Sequence, residues 1–166
     1  MPNHQSPLTV VVKGALAGAA GTAAMTAFLR EAPALMDRVG LASARPPTPP
    51  ARPSRRRSST EKVVESATTL PTEHAKIAGE ALHWAYGSGW GAYYAVIQST
   101  FRLPPLLHGA WLGGLMTFVA VRVLPSLGLA PAPRTQDQMI INGASHAVFG
   151  FTTAIVYSVL NFGRRG

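Results

Sequence analysis

The sequence predicts an all-α integral membrane protein with four transmembrane helices, arranged as two helical hairpins. Two observations lead to this fold class. Only 13% of the residues are charged, about half the share of a typical soluble domain, so much of the surface need not face water. Four apolar stretches of 19 to 22 residues, each without an internal proline, match the roughly 20 residues that a bilayer-spanning helix requires.

The four spans are predicted at 8–29, 77–97, 106–124 and 139–160. The first is rich in alanine and glycine and contains Lys13, whose long side chain can reach the interface. Between the first two spans we predict a loop at 31–76. Its part at 44–57 carries five prolines and five arginines, and we predict that it is flexible because proline density prevents a regular helix.

The distribution of basic residues indicates an orientation. Of the 15 lysines and arginines, 11 fall on the side of the long first loop and 4 on the opposite side. Basic residues next to membrane spans are retained on the cytoplasmic side. We therefore predict a multi-pass protein of the plasma membrane, with the first loop cytoplasmic and both termini outside.

The net charge of +8 would also suit a nucleic-acid-binding protein. Most of the positive charge, however, sits in one loop between apolar stretches, and nucleic-acid binding needs a folded basic surface. We expect the lipid bilayer as partner and no nucleic acid. A second copy of the chain or other membrane proteins are further partners that the sequence leaves open.

Glycines recur four residues apart, which places each pair on one helix face and lets two backbones approach closely. Helix packing is the favoured interpretation, and close approach of a backbone to a ligand is the alternative. The predicted helix-packing residues are Gly14, Gly18, Gly87, Gly91, Gly109 and Gly113.

The two hairpins carry similar motifs, which predicts an internal parallel repeat with a pseudo-two-fold axis along the membrane normal. Chance matches in a glycine-rich sequence are the alternative. The paired motifs are Gly14-Ala15-x-x-Gly18 with Gly109-Ala110-x-x-Gly113, and His83-x-x-Tyr86-Gly87 with His146-x-x-Phe149-Gly150.

Two histidines lie inside the spans. His83 and His146 are each about seven residues into a span that starts on the same side, so both rings are expected about 10 Å deep. Glu80 lies one turn before His83 on the same face. Ionisable groups at such depth usually face the bundle interior. We predict an intramembrane polar cluster of Glu80, His83, His146, Tyr94 and Tyr157, and we expect His108, which starts the third span, at the opposite interface.

Three interpretations of this cluster stay open. It could fix helix register by interhelical hydrogen bonds. It could form a proton, ion or small-solute path through Glu80, His83 and His146. It could ligate a divalent metal or haem through His83 and His146, since neutral imidazole is a common ligand.

No catalytic residue is assigned. The sequence has no cysteine, which excludes disulfides, cysteine metal sites and thiol nucleophiles. It also lacks a nucleotide-binding loop, a nucleophile elbow and a zinc-protease motif. We therefore do not expect an enzyme. The favoured role is a structural, assembly or envelope component that needs no cofactor.

Three features resemble the YagU-like family of bacterial inner-membrane proteins. They are the opening Gly14-Ala15-x-x-Gly18-x-x-Gly21-Thr22-x-x-Met25, the proline-rich first loop, and His-x-x-[Tyr/Phe]-Gly in the second and fourth spans. The resemblance covers most of the chain outside 45–57, where the arginine-rich segment departs from the pattern. It implies residence in the bacterial inner membrane and carries no catalytic residue.

Overall fold

The computed structural model describes residues 6–38, 40, 64 and 72–162. This part of the chain consists of helices and contains no strand. The four long helices are α1 (Pro7–Arg38), α2 (Thr72–Phe101), α3 (Pro105–Ser126) and α4 (Gln136–Leu160). The segment 44–57, predicted to be flexible, lies outside the described residues.

The all-helical fold class is confirmed, and three helices suit a bilayer. α1, α3 and α4 are long and apolar enough to cross a membrane. α2 has 30 residues, about 45 Å of helix, but it is not among these three. Its sequence is rich in glycine, serine, tyrosine and tryptophan, which lower the mean hydropathy of any stretch that contains them. Hydropathy alone therefore leaves the predicted fourth span undecided.

Side-chain caps define two of the helix starts. The Ser6 hydroxyl accepts a hydrogen bond from the Thr9 amide at 3.2 Å, and Pro7 occupies the first position of α1, where its missing N–H costs nothing. The Thr135 hydroxyl accepts from the Gln138 amide, also at 3.2 Å. Both are N-cap arrangements that satisfy amides left unpaired at the start of a helix.

The helices extend into the predicted loop at 31–76. α1 continues nine residues beyond the first predicted span to Arg38, and α2 begins at Thr72, five residues before the second span. Alanine, leucine, methionine and arginine, all good helix formers, dominate the end of α1. Pro33 lies inside this helix, and Ala32 and Met36 on either side of it are buried.

α3 ends in an irregular turn that its proline explains. The helix widens to a π turn at Val119–Val123, where the Leu124 amide donates to the Val119 carbonyl. Pro125 follows, and a proline ring clashes with the carbonyl of the preceding turn, so the wider turn makes room for it. Gly128, at φ 71°, closes the helix, because the Leu129 amide donates to the Leu124 carbonyl at 2.9 Å in a Schellman motif.

The helices form an antiparallel bundle with two distinct ends. α1 packs along both α2 and α4, and α3 packs along α4. We call the end where α1 and α3 finish the first-loop face, and the end where residues 102–104 join α2 to α3 the turn face. The core residues are Ala17, Tyr94, Ala95, Leu112, Met116, Phe149, Ala154 and Tyr157.

Candidate functional site

α1 and α2 meet backbone to backbone at glycine. A Cβ added at Gly14 would lie 2.6 Å from the Gly91 carbonyl oxygen, and one added at Gly18 would lie 2.8 Å from the Gly91 Cα. A Cβ added at Gly87 would overlap the Thr22 hydroxyl even more closely. Side-chain carbons essentially never approach other atoms below 3.0 Å, so any larger residue would push the two helices apart.

The α3–α4 contact is built in the same way. A Cβ at Gly109 would lie 2.8 Å from the Gly150 carbonyl oxygen, and one at Gly113 would lie 2.7 Å from the His146 carbonyl oxygen. All six glycines that the sequence singled out therefore lie at helix–helix contacts. Gly21 and Gly150 also lie at helix–helix contacts. They are not among the six predicted glycines, but Gly21 belongs to the motif that begins at Gly14 and Gly150 to the motif that begins at His146.

The two hairpins are related by a different register from the one their motifs suggest. Gly18 packs on Gly87 and Gly91, and Gly109 packs on Gly150 and Ala154. Gly109 thus corresponds to Gly18, one helical turn from the motif match with Gly14. A glycine stripe with a four-residue period can slide by one turn and still pack, so sequence similarity cannot fix the register.

A pseudo-two-fold axis is also broken by the other two interfaces. Such an axis would make the α1–α4 and α2–α3 contacts equivalent. α1 lies close along α4, where a Cβ at Gly21 would be 3.0 Å from Phe149. By contrast, α2 and α3 meet mainly through aromatic rings, with Tyr93 stacked on Trp111 at a centroid distance of 6.3 Å.

The first-loop half of the bundle contains both predicted histidines. His83 is half-buried and its Nε2 lies 3.4 Å from the Thr26 hydroxyl. His146 is buried, and its Nδ1–H donates to the Asn142 carbonyl at 2.9 Å, which leaves Nε2 with a lone pair in the neutral ring. The two rings are close enough to interact electrostatically, as are His83 and Glu80. Glu80 itself is exposed.

The turn half contains both predicted tyrosines and two residues that the prediction left out. Tyr94 and Tyr157 are buried and meet edge to face at a centroid distance of 5.7 Å. His108 stacks on Tyr94 at 4.1 Å. Its Nδ1 lies 2.7 Å from the Gln98 Oε1, and Gln98 Nε2 donates to the Leu103 carbonyl at 2.7 Å.

His108 differs from the expectation in its environment. We expected it at the interface, but it is 1% exposed, inside the bundle near the turn face. Because the amide of Gln98 turns its oxygen toward the ring, Nδ1 carries the proton and Nε2 is left as an acceptor. Nε2 is buried and has no hydrogen-bond partner among the described residues. In the sequence, this contact is indicated by the ten-residue spacing of Gln98 and His108, which lie on either side of Pro104-Pro105.

The five residues of the predicted polar cluster therefore do not form one site. His83, His146 and Glu80 lie toward the first-loop face, and Tyr94 and Tyr157 lie toward the turn face, about 16 Å away along the helices. Phe149, 1% exposed, comes between His146 and Tyr157 along α4, and it belongs with Leu112 and Met116 to the buried apolar core.

The first-loop pair of histidines is the candidate ligand site for a metal or haem. Among the described residues there is no group of three or more His, Cys, Asp or Glu side chains placed to hold a metal ion. Two imidazoles at different levels of burial can share a proton or hydrogen-bond a small solute. Ligation of a metal through them would need further ligands.

An apolar groove runs between α2 and α3. It has a volume of about 450 Å³ and is open to the outside of the bundle. Its walls form a chain of aromatic contacts, with Tyr86 edge-on to Trp90 at 5.9 Å and Trp90 edge-on to Tyr93 at 5.6 Å. The lining residues are Tyr86, Gly89, Trp90, Tyr93 and Leu115.

No family model, curated protein or solved structure matches this chain. The resemblance to the YagU-like family therefore stays a prediction.

Proposed function

We propose that this chain is a four-span protein of the bacterial inner membrane that serves as a structural or assembly component and has no catalysis of its own. The observation that carries this proposal is the buried apolar layer, with Phe149 and Leu112, between the two polar groups of the interior. An apolar constriction in a conduction path excludes water and so blocks ions. In the middle of this bundle the large buried side chains are Phe149, Leu112 and Met116, which lie beside the small hydroxyl side chains of Thr22 and Thr153.

Packing supports α2 as the fourth span. α2 runs antiparallel to α1, with Gly91 near Gly14 and Gly87 near Gly18, so the two helices share the same depth. Its outward side chains include several large exposed apolar and aromatic residues, as a lipid-facing surface requires. Those residues are Ile77, Leu82, Trp84, Tyr86, Tyr93 and Val96.

The first test of the topology uses the absence of native cysteine. Single cysteines at position 74, near the start of α2, and at position 100, near its end, would be labelled with a membrane-impermeant maleimide in intact cells and in inside-out vesicles. We expect position 100 to react in cells and position 74 only in inverted vesicles. Labelling of both from the same side would contradict a spanning α2.

The test of the functional proposal is reconstitution into liposomes. Purified protein should give no proton or cation flux above that of protein-free liposomes, because the apolar layer interrupts the polar groups. Phe149→Ser, which places a hydroxyl in that layer, should raise leakage if the layer is the barrier. Specific flux through the wild-type protein would contradict a purely structural role.

A proton or small-solute path is the second candidate function, and one observation favours it. His83 of α2 and His146 of α4 both lie in the first-loop half of the bundle, and Glu80 lies one helical turn before His83. Under this candidate, wild-type liposomes show flux that His83→Gln or His146→Gln abolishes without unfolding the protein. Iron, zinc or copper that is bound stoichiometrically and lost in the double variant would instead favour ligation.

A further inference from the structure

We propose that the groove between α2 and α3 binds an anionic phospholipid of the leaflet on the first-loop side, with an acyl chain in the groove and the phosphate near Arg122. The proposal goes beyond the structural role and rests on the proposed membrane residence.

The groove is too small for two turns of a helix, and its lining is apolar, as an acyl chain requires. An α-helix with its side chains is 10–12 Å across, so two turns occupy roughly 850 Å³, almost twice the groove volume of about 450 Å³. The walls are aromatic rings and Leu115. Gly89 lines the groove, and a Cβ added there would meet no atom within 4 Å. Packing within the bundle therefore does not require a glycine at this position.

The groove has an aromatic stack toward one end and a positive charge beyond the other. Toward the turn face, Tyr93 of the groove wall stacks on Trp111 of α3. Arg122 is exposed and lies eleven residues after Trp111 along α3, about 16 Å toward the first-loop face. Lys76, also exposed, lies on α2 farther toward the same face.

Charge complementarity decides which lipid fits. Among the described residues, five lysines and arginines lie toward the first-loop face and two toward the turn face; they are Arg30, Arg38, Lys76, Arg122 and Arg134, and Lys13 and Arg102. The proposed topology places the first-loop face in the cytoplasm. The cytoplasmic leaflet carries the anionic lipids, and each lysine or arginine near it contributes about 1 kcal/mol of attraction. When the acyl chain of a phospholipid in this leaflet enters the groove, the headgroup of that lipid lies at the level of Arg122.

The test is native mass spectrometry of protein extracted from membranes and equilibrated with equal amounts of phosphatidylglycerol and phosphatidylcholine of identical chains. We expect wild-type protein to retain phosphatidylglycerol preferentially. Arg122→Gln should lower that preference about fivefold. Arg102→Gln is the matched control, because this exposed arginine lies at the turn face and its loss should leave the preference unchanged.

A second variant tests the groove itself. Gly89→Trp fills it, and we expect loss of both retained lipids at an unchanged thermal midpoint. Equal effects of Arg122→Gln and Arg102→Gln, or full lipid retention in Gly89→Trp, would overturn the proposal. A homodimer that Gly89→Trp dissociates would assign the groove to a second copy and overturn it as well. Protein found only in the soluble fraction would refute the membrane role, whereas membrane-bound protein without lipid preference would refute the lipid site alone.

Discussion

The α1–α2 and α2–α3 interfaces share one helix and differ in how close the neighbouring backbone comes. Toward α1, α2 presents Gly87 and Gly91, and the two backbones are in contact. Toward α3, it presents Trp90 and Tyr93, and aromatic rings keep the helices apart. The first interface is closed and the second leaves a groove of about 450 Å³. Side-chain size thus decides which surface of α2 packs closely and which leaves an open groove.

The comparison also explains where polar groups can lie. Close backbones leave room only for small polar side chains between α1 and α2, such as Thr22, whose hydroxyl donates to the Gly18 carbonyl of its own helix. The wider α2–α3 interface admits the large stack of His108 on Tyr94. The size of the buried polar groups in these two interfaces therefore follows the spacing of the helices.

The largest effect is expected from a leucine at the closed interface. Gly91→Leu would drive a side chain into the Gly18 backbone, and overpacking of this kind costs about 3 kcal/mol or more. Thermal unfolding in detergent should show a large loss of stability. Gly89→Leu, two residues away on the same helix, is the control, since its added side chain meets open space and should leave the midpoint nearly unchanged.

The second effect concerns the link that joins α2 to α3. Gln98→Ala removes the partners of both the His108 Nδ1–H and the Leu103 carbonyl, and burying such groups unpaired costs about 2 kcal/mol. Chemical denaturation in mixed micelles would measure it. Ser99→Ala at the neighbouring exposed position should cost little. Equal costs would mean that Gln98 does not hold the turn.

A smaller effect is expected where α1 meets the end of α4. The Lys13 ammonium donates to the Leu160 carbonyl at 2.8 Å and to the Asn161 Oδ1 at 2.9 Å, close to the negative end of the α4 dipole. Lys13→Met should destabilise the bundle by about 1 kcal/mol, measured by thermal unfolding. Lys13→Arg keeps the charge and should recover most of the loss; no recovery would assign the effect to packing.

The sequence predicted the helical class and the contacts of the glycines because both follow from local patterns. Apolar runs give the helices, and a four-residue glycine period marks one face of each. The distance of Tyr94 and Tyr157 from His83 and His146 was already contained in the sequence, since eleven residues of helix span about 16 Å, and the predicted cluster overlooked it. The burial of His108 depended on the Gln98 side chain across the turn, which no periodicity reports. The register of the two hairpins also had to come from three-dimensional contacts.

The smallest expected effect tests how firmly His83 is held at the half-buried end of the α1–α2 interface. The Thr26 hydroxyl donates to the Thr22 carbonyl of its own helix at 2.8 Å, a bond to the preceding turn that adds little to helix stability. It lies 3.4 Å from His83 Nε2, a long contact that also contributes little. Thr26→Val should therefore change stability by less than about 0.5 kcal/mol. Thr22→Val, one turn earlier, places a methyl group against Gly87 and should cost at least about 1 kcal/mol. Paired thermal melts would compare them. A large loss of stability in Thr26→Val would mean that the His83 contact stabilises helix packing, as the glycine contacts do. A negligible loss would mean that this contact does not prevent the His83 ring from rotating toward His146.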